Sequence, residues 1–242
     1  MKKVRTFLLL IIMLFVITAS CGGGGGDGGG GGNGGGGTSS GGGGGGSTPI
    51  NELYVSNGSD DSITVYSRTA DGNIAPVRTI TGAATNLSGP RGIAIDTANN
   101  EIFAANWGNS ITVYSRTASG NIAPVRTITG AATNLNAPYG IALDTANNEI
   151  FVANFFNSIA VYSRVADGNI APVRTITGAA TNLNAPYGIA LDTANNEIFA
   201  ANTGADSITV YSRTADGNIA PVRTITGAAT NLNGPVGIAV LR

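Results

Sequence analysis

The sequence of 242 residues contains no histidine and only one cysteine, and charged residues make up 11% of it. Without histidine, the side chain that most often serves as general acid–base catalyst and as neutral metal ligand is missing. A single cysteine excludes a disulfide within the chain. No nucleophile elbow and no cluster with metal-ligand spacing is present either. We therefore expect no catalytic site, no metal site and no cofactor.

Lysine is confined to the first three residues, so positive charge in the rest of the chain comes only from arginine. From Cys21 onward, ten arginines stand against fourteen carboxylates, which is a net charge of −4. Domains that bind nucleic acid usually carry a basic surface instead. The charge balance therefore predicts no nucleic-acid partner.

The first 20 residues have the pattern of an export signal. Basic residues precede an apolar run at residues 7–17, which is too short to span a bilayer comfortably. The run ends in Thr-Ala-Ser-Cys, which resembles the lipobox of bacterial lipoproteins, although leucine is usual where Thr18 stands. The resemblance implies lipidation of Cys21 and hence a membrane anchor, with ordinary signal-peptidase cleavage as the alternative. Gly22, in place of an aspartate that favours inner-membrane retention, implies the outer membrane or cell surface.

Residues 22–47 are almost entirely glycine with a few small polar residues. Such a tract has high backbone entropy and buries nothing, so we expect a flexible tether that holds the following domain away from the membrane. A glycine loop that binds phosphate is the other interpretation, but it needs a flanking strand and helix. The predicted organisation is a signal at 1–20, a lipidated cysteine with linker at 21–50 and one domain at 51–242.

The domain after the linker is an internal repeat with a period of 48 or 49 residues. Its four copies are marked by one glutamate each, at Glu52, Glu101, Glu149 and Glu197. Each copy also has one arginine before an Asp-Gly-Asn or Ser-Gly-Asn turn, at Arg68, Arg116, Arg164 and Arg213. A residue that recurs once per copy is more simply structural. We therefore expect these arginines to be half-buried and paired with turn aspartates.

Within one copy, four short segments rich in Ile, Val, Phe, Tyr and Thr are separated by turn residues. In the copy at 138–178 they occupy residues 140–144, 149–154, 158–164 and 173–177. The sequences Asp-Thr-Ala-Asn-Asn and Asp-Gly-Asn favour tight turns, because Asp and Asn bond their own backbone and tolerate left-handed conformations. Each copy is therefore predicted to be a four-stranded antiparallel meander.

Residues 136–144, Asn-Ala-Pro-Tyr-Gly-Ile-Ala-Leu-Asp, followed by Glu-Ile-Phe-Val-Ala-Asn at 149–154, resemble the repeats of NHL-type and YVTN-type β-propellers. The likeness covers all four copies. It implies an all-β fold, a β-propeller of four four-stranded antiparallel blades, and tandem repeats of this length and strand number fit that architecture. It is weak for function, because such propellers serve binding, signalling and a few hydrolytic roles.

The two ends of the domain complement each other, since it begins within a repeat at residues 51–55 and ends with a lone first strand at 237–240. We therefore predict that the last strand closes the first blade, which protects the edges of the ring. The resemblance implies about six or more blades in related propellers. Two arrangements thus remain open: a tight ring of four blades, or a homodimer whose chains share a larger ring.

Two loops carry most of the differences between copies: the loop between the second and third strands, and the residues that lead into the first strand. An up-and-down meander places both on the same face. Their aromatic and basic residues are Trp107, Phe155, Phe156, Tyr139, Tyr187 and Arg91. Such residues suit stacking on sugars or anchoring of a protein, so we predict a surface that binds a glycan or protein ligand. The alternatives are that the rings pack between blades, or that the copies drifted after duplication.

Two further hypotheses compete with a binding module of the cell envelope. One is a metal-assisted hydrolase, because sugar-lactone hydrolases built on propellers use acidic and amide side chains around a central metal. The repeated acids that match them are Asp96, Asp144 and Asp192. Each begins an Asp-Thr-Ala-Asn-Asn turn, so capping of that turn is the simpler role. The other hypothesis is a purely structural envelope protein whose repeats assemble.

Overall fold

The computed structural model describes residues 51–241. The predicted signal and linker, including Cys21, lie outside the described residues. The described part of the chain forms fifteen β-strands and four short 3₁₀ helices. Within it, no helix has the length and hydropathy needed to cross a membrane.

The strands form four antiparallel sheets, which we call blades 1 to 4. Blade 1 contains β1 (Glu52–Asn57), β2 (Ser62–Ser67) and β3 (Arg78–Thr81). Blade 2 contains β4 (Pro90–Asp96), β5 (Glu101–Asn106), β6 (Ser110–Ser115) and β7 (Arg126–Thr129). Blade 3 contains β8 (Pro138–Asp144), β9 (Glu149–Asn154), β10 (Ser158–Ser163) and β11 (Arg174–Thr177). Blade 4 contains β12 (Pro186–Asp192), β13 (Glu197–Asn202), β14 (Ser207–Ser212) and β15 (Arg223–Ile225). The 3₁₀ helices are Ala83–Thr85, Ala131–Thr133, Ala179–Thr181 and Ala228–Thr230.

Consecutive strands are neighbours within every blade. In blade 2 the order is β4-β5-β6-β7, and Val113 of β6 lies opposite both Phe103 of β5 and Arg126 of β7. The first strands of blades 2, 3 and 4 also lie beside one another. Short antiparallel meanders arranged side by side in this way form a β-propeller, so the predicted fold class is confirmed.

The hydrophobic core lies in the seams, which are the interfaces between consecutive blades. Successive side chains of a strand point to opposite faces of the sheet, so both faces of every blade carry apolar residues that can pack against a neighbouring blade. The seam between blades 2 and 3 joins Phe103 and Val113 to Ile150 and Tyr162. Equivalent clusters fill the other two seams. Packing therefore couples each blade to its neighbours more than to the rest of the molecule.

A glutamate at the start of β9 links blade 3 to blade 4 through two arginines. Glu149 accepts hydrogen bonds from Arg174 of its own blade at 2.7 Å and from Arg213 of blade 4 at 2.8 Å. Arg213 also lies 3.4 Å from Asp144. The prediction that the repeated arginines pair with turn aspartates is thus confirmed for Arg213, and equally for Arg164, although a glutamate is the closer partner of each.

Replacing Glu149 with alanine is expected to destabilise the protein by about 2 kcal/mol, because it leaves two partly buried guanidinium groups without their main counter-charge. Glu197 occupies the same repeat position, but its one ion-pair partner among the described residues is the exposed Arg223, so Glu197→Ala serves as the matched control with a smaller effect. Urea denaturation of dilute protein measures both. Equal losses from the two substitutions would contradict the bridging role of Glu149.

The prediction that the last strand closes blade 1 is wrong. Blade 1 has three strands with β1 at its edge, and residues 237–241 form no strand. The reason is the spacing of the first strands: Gly140 lies directly against the carbonyl of Tyr187, and Gly188 lies in the same way against that of Val236. The terminal segment therefore continues the ring by one more step instead of returning to blade 1.

The open ring also decides the environment of the first repeated arginine. Arg68 is exposed, and its Nε donates to the side chain of Asn51 at 2.9 Å. Among the described residues no blade precedes blade 1, so the glutamate that an earlier blade contributes to Arg116 and Arg164 has no counterpart here. The expectation of a half-buried, paired arginine is wrong at this position.

Candidate functional site

The two variable loops lie together because an asparagine ties each loop to the start of the next blade. In the β5–β6 loop, Asn109 has a left-handed backbone (φ 60°), a conformation that asparagine tolerates. Its side-chain oxygen accepts a hydrogen bond from the backbone N–H of Ala137 at 2.7 Å, two residues before Tyr139. Asn157 holds Ala185 in the same way at 2.8 Å. The loops and the first strands are thus joined on one face of the propeller.

Five rings on that face form a continuous set of contacts, which we call the aromatic cluster: Trp107, Tyr139, Phe155, Phe156 and Tyr187. Trp107 meets Tyr139 edge-on with 5.2 Å between ring centroids, and it lies 5.8 Å from Phe155. Tyr139 and Tyr187 are 3.9 Å apart, and Phe155 is 5.2 Å from Phe156. The cluster draws on blades 2, 3 and 4, so it exists only when these blades pack together.

The aromatic cluster is open to solvent at its outer members. Trp107 is 40% exposed and Phe156 is 56% exposed, while Tyr139, Phe155 and Tyr187 are partly buried. The aromatic residues that are fully buried in the seams are other ones, such as Phe103 and Phe151. A contiguous ring surface of this kind is the sort of patch that marks an interaction site.

Arg91, the basic residue predicted for the site, lies at the edge of the aromatic cluster. Its guanidinium carbon is 5.4 Å from the centre of the Tyr139 ring, a cation–π distance. The start of β4 is held in place because the backbone carbonyl of Arg91 accepts a hydrogen bond from the Ser56 hydroxyl at 2.5 Å. Within residues 51–241 no carboxylate lies in ion-pair distance of Arg91. The cluster therefore carries a positive charge that is not neutralised by a neighbouring acid.

The two tyrosines of the cluster share a hydrogen bond. The hydroxyl of Tyr187 donates to that of Tyr139 at 3.2 Å. Burial, reinforced by this bond, raises the pKa of Tyr139 to about 12. The Tyr139 phenol therefore stays protonated at physiological pH, and its hydroxyl remains available as a hydrogen-bond donor.

The repeated aspartates lie at the other end of the first strands and are occupied. Asp144 accepts hydrogen bonds from the backbone N–H of Asn147 at 3.0 Å and from its side chain at 2.8 Å. Asp96 and Asp192 cap their turns in the same way. Across the described chain, no group of three or more acidic or thiol side chains is placed to hold a metal ion. These acids therefore have the turn-capping role that their sequence context predicts.

Sequence reasoning selected the aromatic residues and Arg91 but missed the two asparagines that position them. Asn109 and Asn157 occupy a position that is aspartate in the other two copies, at Asp61 and Asp206, and all four side chains accept a backbone N–H from the segment leading into the next blade. The recurrence of an acceptor side chain at this position was the available signal.

The fold and the site define the class: the protein is a β-propeller with an aromatic surface on one face. A protein-family model described as "Lactonase, 7-bladed beta-propeller" matches residues 48–133, which is less than half of the chain. Among solved structures, a crystal structure of a nidogen/laminin complex is similar, with a TM-score of 0.57 and 18% sequence identity. The alignment covers 78% of this chain but only 64% of that one.

The comparison with curated proteins gives no match. By contrast, 1120 chains of known structure are similar in shape. A fold shared this widely carries many functions, so function has to be inferred from the site itself.

Proposed function

We propose that this protein is a binding module whose ligand is an acidic glycan, held by the aromatic cluster and Arg91. The observation that carries the proposal is a contiguous, partly exposed surface of five rings beside an arginine that has no acidic partner within residues 51–241. Ring faces pack well against the apolar CH faces of sugars, and a guanidinium pairs with a carboxylate through two hydrogen bonds. A surface of rings alone would favour neutral sugars.

Trp107 is the only tryptophan of the chain, so its fluorescence reports directly on the proposed site. Oligosaccharides containing uronic acids are expected to shift this emission, with saturation. Trp107→Ala, followed by calorimetry, is expected to weaken binding at least about tenfold, or about 1.4 kcal/mol, because tryptophans that a ligand covers dominate such contacts. Val125→Ala, an exposed apolar change elsewhere in blade 2, is the matched control. Unchanged affinity of the Trp107 variant would contradict the site.

Arg91 separates an acidic from a neutral ligand. Arg91→Gln is expected to weaken uronic-acid oligosaccharides about tenfold or more while leaving neutral ones within about twofold. If neither class binds but a protein from the same envelope does, the ligand is a protein and the glycan proposal is wrong.

We also propose that the module is anchored in the outer membrane or at the cell surface through lipid on Cys21. The support is the sequence pattern around this residue. Two or more acyl chains give stable anchoring, because each buried CH₂ contributes about 0.8 kcal/mol. Labelling with a palmitate analogue in a bacterial host is expected to mark the full-length protein and to fail for Cys21→Ser. A labelled Cys21→Ser variant would refute the anchor.

The family match over residues 48–133 favours a second candidate, hydrolysis of a lactone ring. That chemistry needs a general base or a metal-activated water. The repeated acids are engaged in turns, and the described residues contain no histidine, so we expect no hydrolysis of sugar lactones above the uncatalysed rate with or without calcium. Hydrolysis that is lost in Asp144→Asn would favour this candidate over the binding module.

A further inference from the structure

The three seams of the propeller are built from one repeated backbone contact. In the seam between blades 1 and 2, Ile80 of β3 forms a parallel bridge with Gly120 in the Ser-Gly-Asn turn of the following blade. Gly120 donates its N–H to the carbonyl of Thr79 at 2.6 Å and accepts from the N–H of Thr81 at 3.2 Å. The equivalent bridges of the other seams are Ile128 with Gly168 and Ile176 with Gly217.

Side chains repeat across the seams as well. Next to the bridging glycine, Asn121 accepts a hydrogen bond from the N–H of Ala84 at 2.8 Å, and Asn169 and Asn218 do the same in the later seams. Glu52 accepts from Arg116 of the following blade at 3.0 Å. Every seam thus joins one constant set of groups on the leading blade to another constant set on the following blade.

Blade 4 carries the groups that the leading blade contributes to a seam, but among the described residues no further blade packs against them. Ile225 of β15 is 48% exposed, whereas its three equivalents, Ile80, Ile128 and Ile176, are fully buried. Ala229 corresponds to Ala84, whose N–H donates to an asparagine of the next blade. We call the surface of Glu197 and residues 223–230 edge 4.

The arginine of edge 4 keeps the glutamate of its own blade as partner and bonds it through a second nitrogen. Arg223 directs two nitrogens to Glu197, at 2.5 and 2.8 Å. Its equivalent in blade 1, Arg78, instead uses one nitrogen for Glu52 and also donates to the carbonyl of Arg116 in the next blade. Arg223 therefore directs to its own blade a hydrogen bond that Arg78 donates to the following blade.

Blade 1 carries the groups that the following blade contributes to a seam, and no described blade lies against them. Arg68, Gly72 and Asn73 stand at the positions of Arg116, Gly120 and Asn121. Arg68 is exposed, whereas the equivalent arginine of each later blade is partly buried in a seam. Tyr66 is only partly buried, although its equivalent in each later blade is fully buried in a seam. We call the surface of Tyr66, Arg68 and residues 71–73 edge 1.

The innermost strands show the same complementarity. Residues 236–238 lie against Gly188 as the first strand of a blade does, since a Cβ on that glycine would stand 2.7 Å from the carbonyl of Val236. At the other end, β1 is the innermost strand of blade 1 and pairs with β2 on one side, while no described strand pairs with its inner edge. Within residues 51–241, blade 4 is thus followed by a segment in the place of a first strand, and blade 1 has no strand in that place.

We propose that edge 4 of one chain binds edge 1 of a second copy of the same chain, and that residues 236–240 pair with β1 of that copy. No hydrogen bond or ion pair joins the described parts of blades 1 and 4 within one chain, so a second copy is the occupant that matches both edges. Two such seams close two chains into a ring of eight blades, within the four to eight of known propellers.

The contacts of the new seam follow from the existing ones. Arg68 of the second copy bonds Glu197 as Arg116 bonds Glu52, and Asn73 of the second copy accepts from the N–H of Ala229. Ile225 becomes buried against Gly72 of the second copy. The contact is head-to-tail, so each chain uses one edge in each of the two seams.

Sedimentation of the full-length protein in a density-matched detergent tests the assembly. The wild type is expected at twice the mass of one chain. The unprocessed chain has a mass of 24.1 kDa, which signal cleavage lowers and lipidation raises. Ile225→Arg is expected to give single chains, with the dimer weakened at least about a hundredfold. Val222→Arg is the matched control, because Val222 is 61% exposed and its equivalents in the other three blades are exposed as well, so this position lies outside every seam. Circular dichroism checks that both variants remain folded.

Mixing variants tests the head-to-tail geometry. Asn73→Arg blocks edge 1 and leaves edge 4 intact, whereas Ile225→Arg does the opposite, so a mixture of the two is expected to recover a dimer with one seam. A folded wild type that stays a single chain at about 100 μM overturns the proposal, as does a dimer that Ile225→Arg leaves unchanged. Glycan binding by the aromatic cluster is measured separately, so either proposal can fail without the other.

Discussion

Replacing Gly140 with alanine is expected to lower the free energy of unfolding by about 3 kcal/mol. A Cβ at this position would stand 2.4 Å from the carbonyl oxygen of Tyr187 and 3.0 Å from the N–H nitrogen of Ile189. Both atoms belong to the backbone of β12, so relief requires that the first strands of blades 3 and 4 move apart. Urea denaturation followed by circular dichroism measures the loss.

Gly204→Ala is the matched control for this substitution. A Cβ on Gly204 also meets a close atom, the side-chain oxygen of Asn184 at 2.4 Å, but Asn184 is exposed and its side chain can rotate away. We expect a change within about 1 kcal/mol. If both alanines cost the same, the close backbone approach of the first strands is not what holds the blades at their present spacing.

Gly140→Ala should also disturb the candidate site. Tyr139 directly precedes Gly140, whose close approach to the carbonyl of Tyr187 brings β8 and β12 together, and the two tyrosine rings lie only 3.9 Å apart. Separation of the strands would therefore open the aromatic cluster. A Gly140→Ala protein that remains folded in stabilising salt is expected to lose ligand affinity together with stability, which fluorescence of Trp107 can follow.

Alkaline pH is expected to unfold the protein between about pH 10 and pH 12. Three fully buried tyrosines, one per seam, each donate a hydroxyl hydrogen bond to a 3₁₀ carbonyl of the preceding blade: Tyr114 to Thr85, Tyr162 to Thr133 and Tyr211 to Thr181. Burial raises the pKa of Tyr114 and Tyr211 to about 12 and raises that of Tyr162 further. These hydroxyls resist ionisation only while the seams are intact.

The sign of the effect follows from proton linkage. Above about pH 10 the tyrosines of the unfolded chain lose their protons, while those of the folded chain keep them until about pH 12. The unfolded state then binds fewer protons, so stability falls as pH rises through this window. A shift of two units corresponds to roughly 2 to 3 kcal/mol per tyrosine by pH 12. Three such residues remove a large part of a typical margin of 5 to 15 kcal/mol.

A phenylalanine variant separates this effect from general alkaline damage. Tyr114→Phe loses one buried hydrogen bond and is expected to be about 1 kcal/mol less stable at pH 7. It also removes one titrating group, so its stability should fall less steeply than that of the wild type between pH 10 and pH 12. Parallel pH profiles for the two proteins would contradict the assignment to the buried tyrosines.

The repeated acids show how far a local pattern predicts a role. The turn Asp-Thr-Ala-Asn-Asn specifies its own hydrogen bonds, because the aspartate and the asparagine three residues later are already neighbours along the chain. Asp144 accordingly accepts from both the backbone and the side chain of Asn147. Turn capping was therefore predictable from five residues, and so were the strands between the turns.

The aromatic cluster was predictable in membership but not in geometry. The meander places both variable loops on one face, which selects residues such as Trp107 and Phe155. The distances between the rings and the absence of a carboxylate near Arg91 within the described chain depend on how three blades pack. Ligand binding at this cluster remains a prediction, and the fluorescence and calorimetric measurements test it.

The sequence by itself determined the all-β fold, the antiparallel meanders and the turns, because each depends on residues within one repeat of 48 or 49. Only the tertiary structure decided whether the blades close. Closure depends on the angle between consecutive blades. The glycine contacts and the side-chain packing of each seam determine this angle, and the angles of all seams add up around the ring. No single window of sequence contains that sum, and this is why the last segment, predicted to clasp blade 1, lies instead against Gly188 of blade 4.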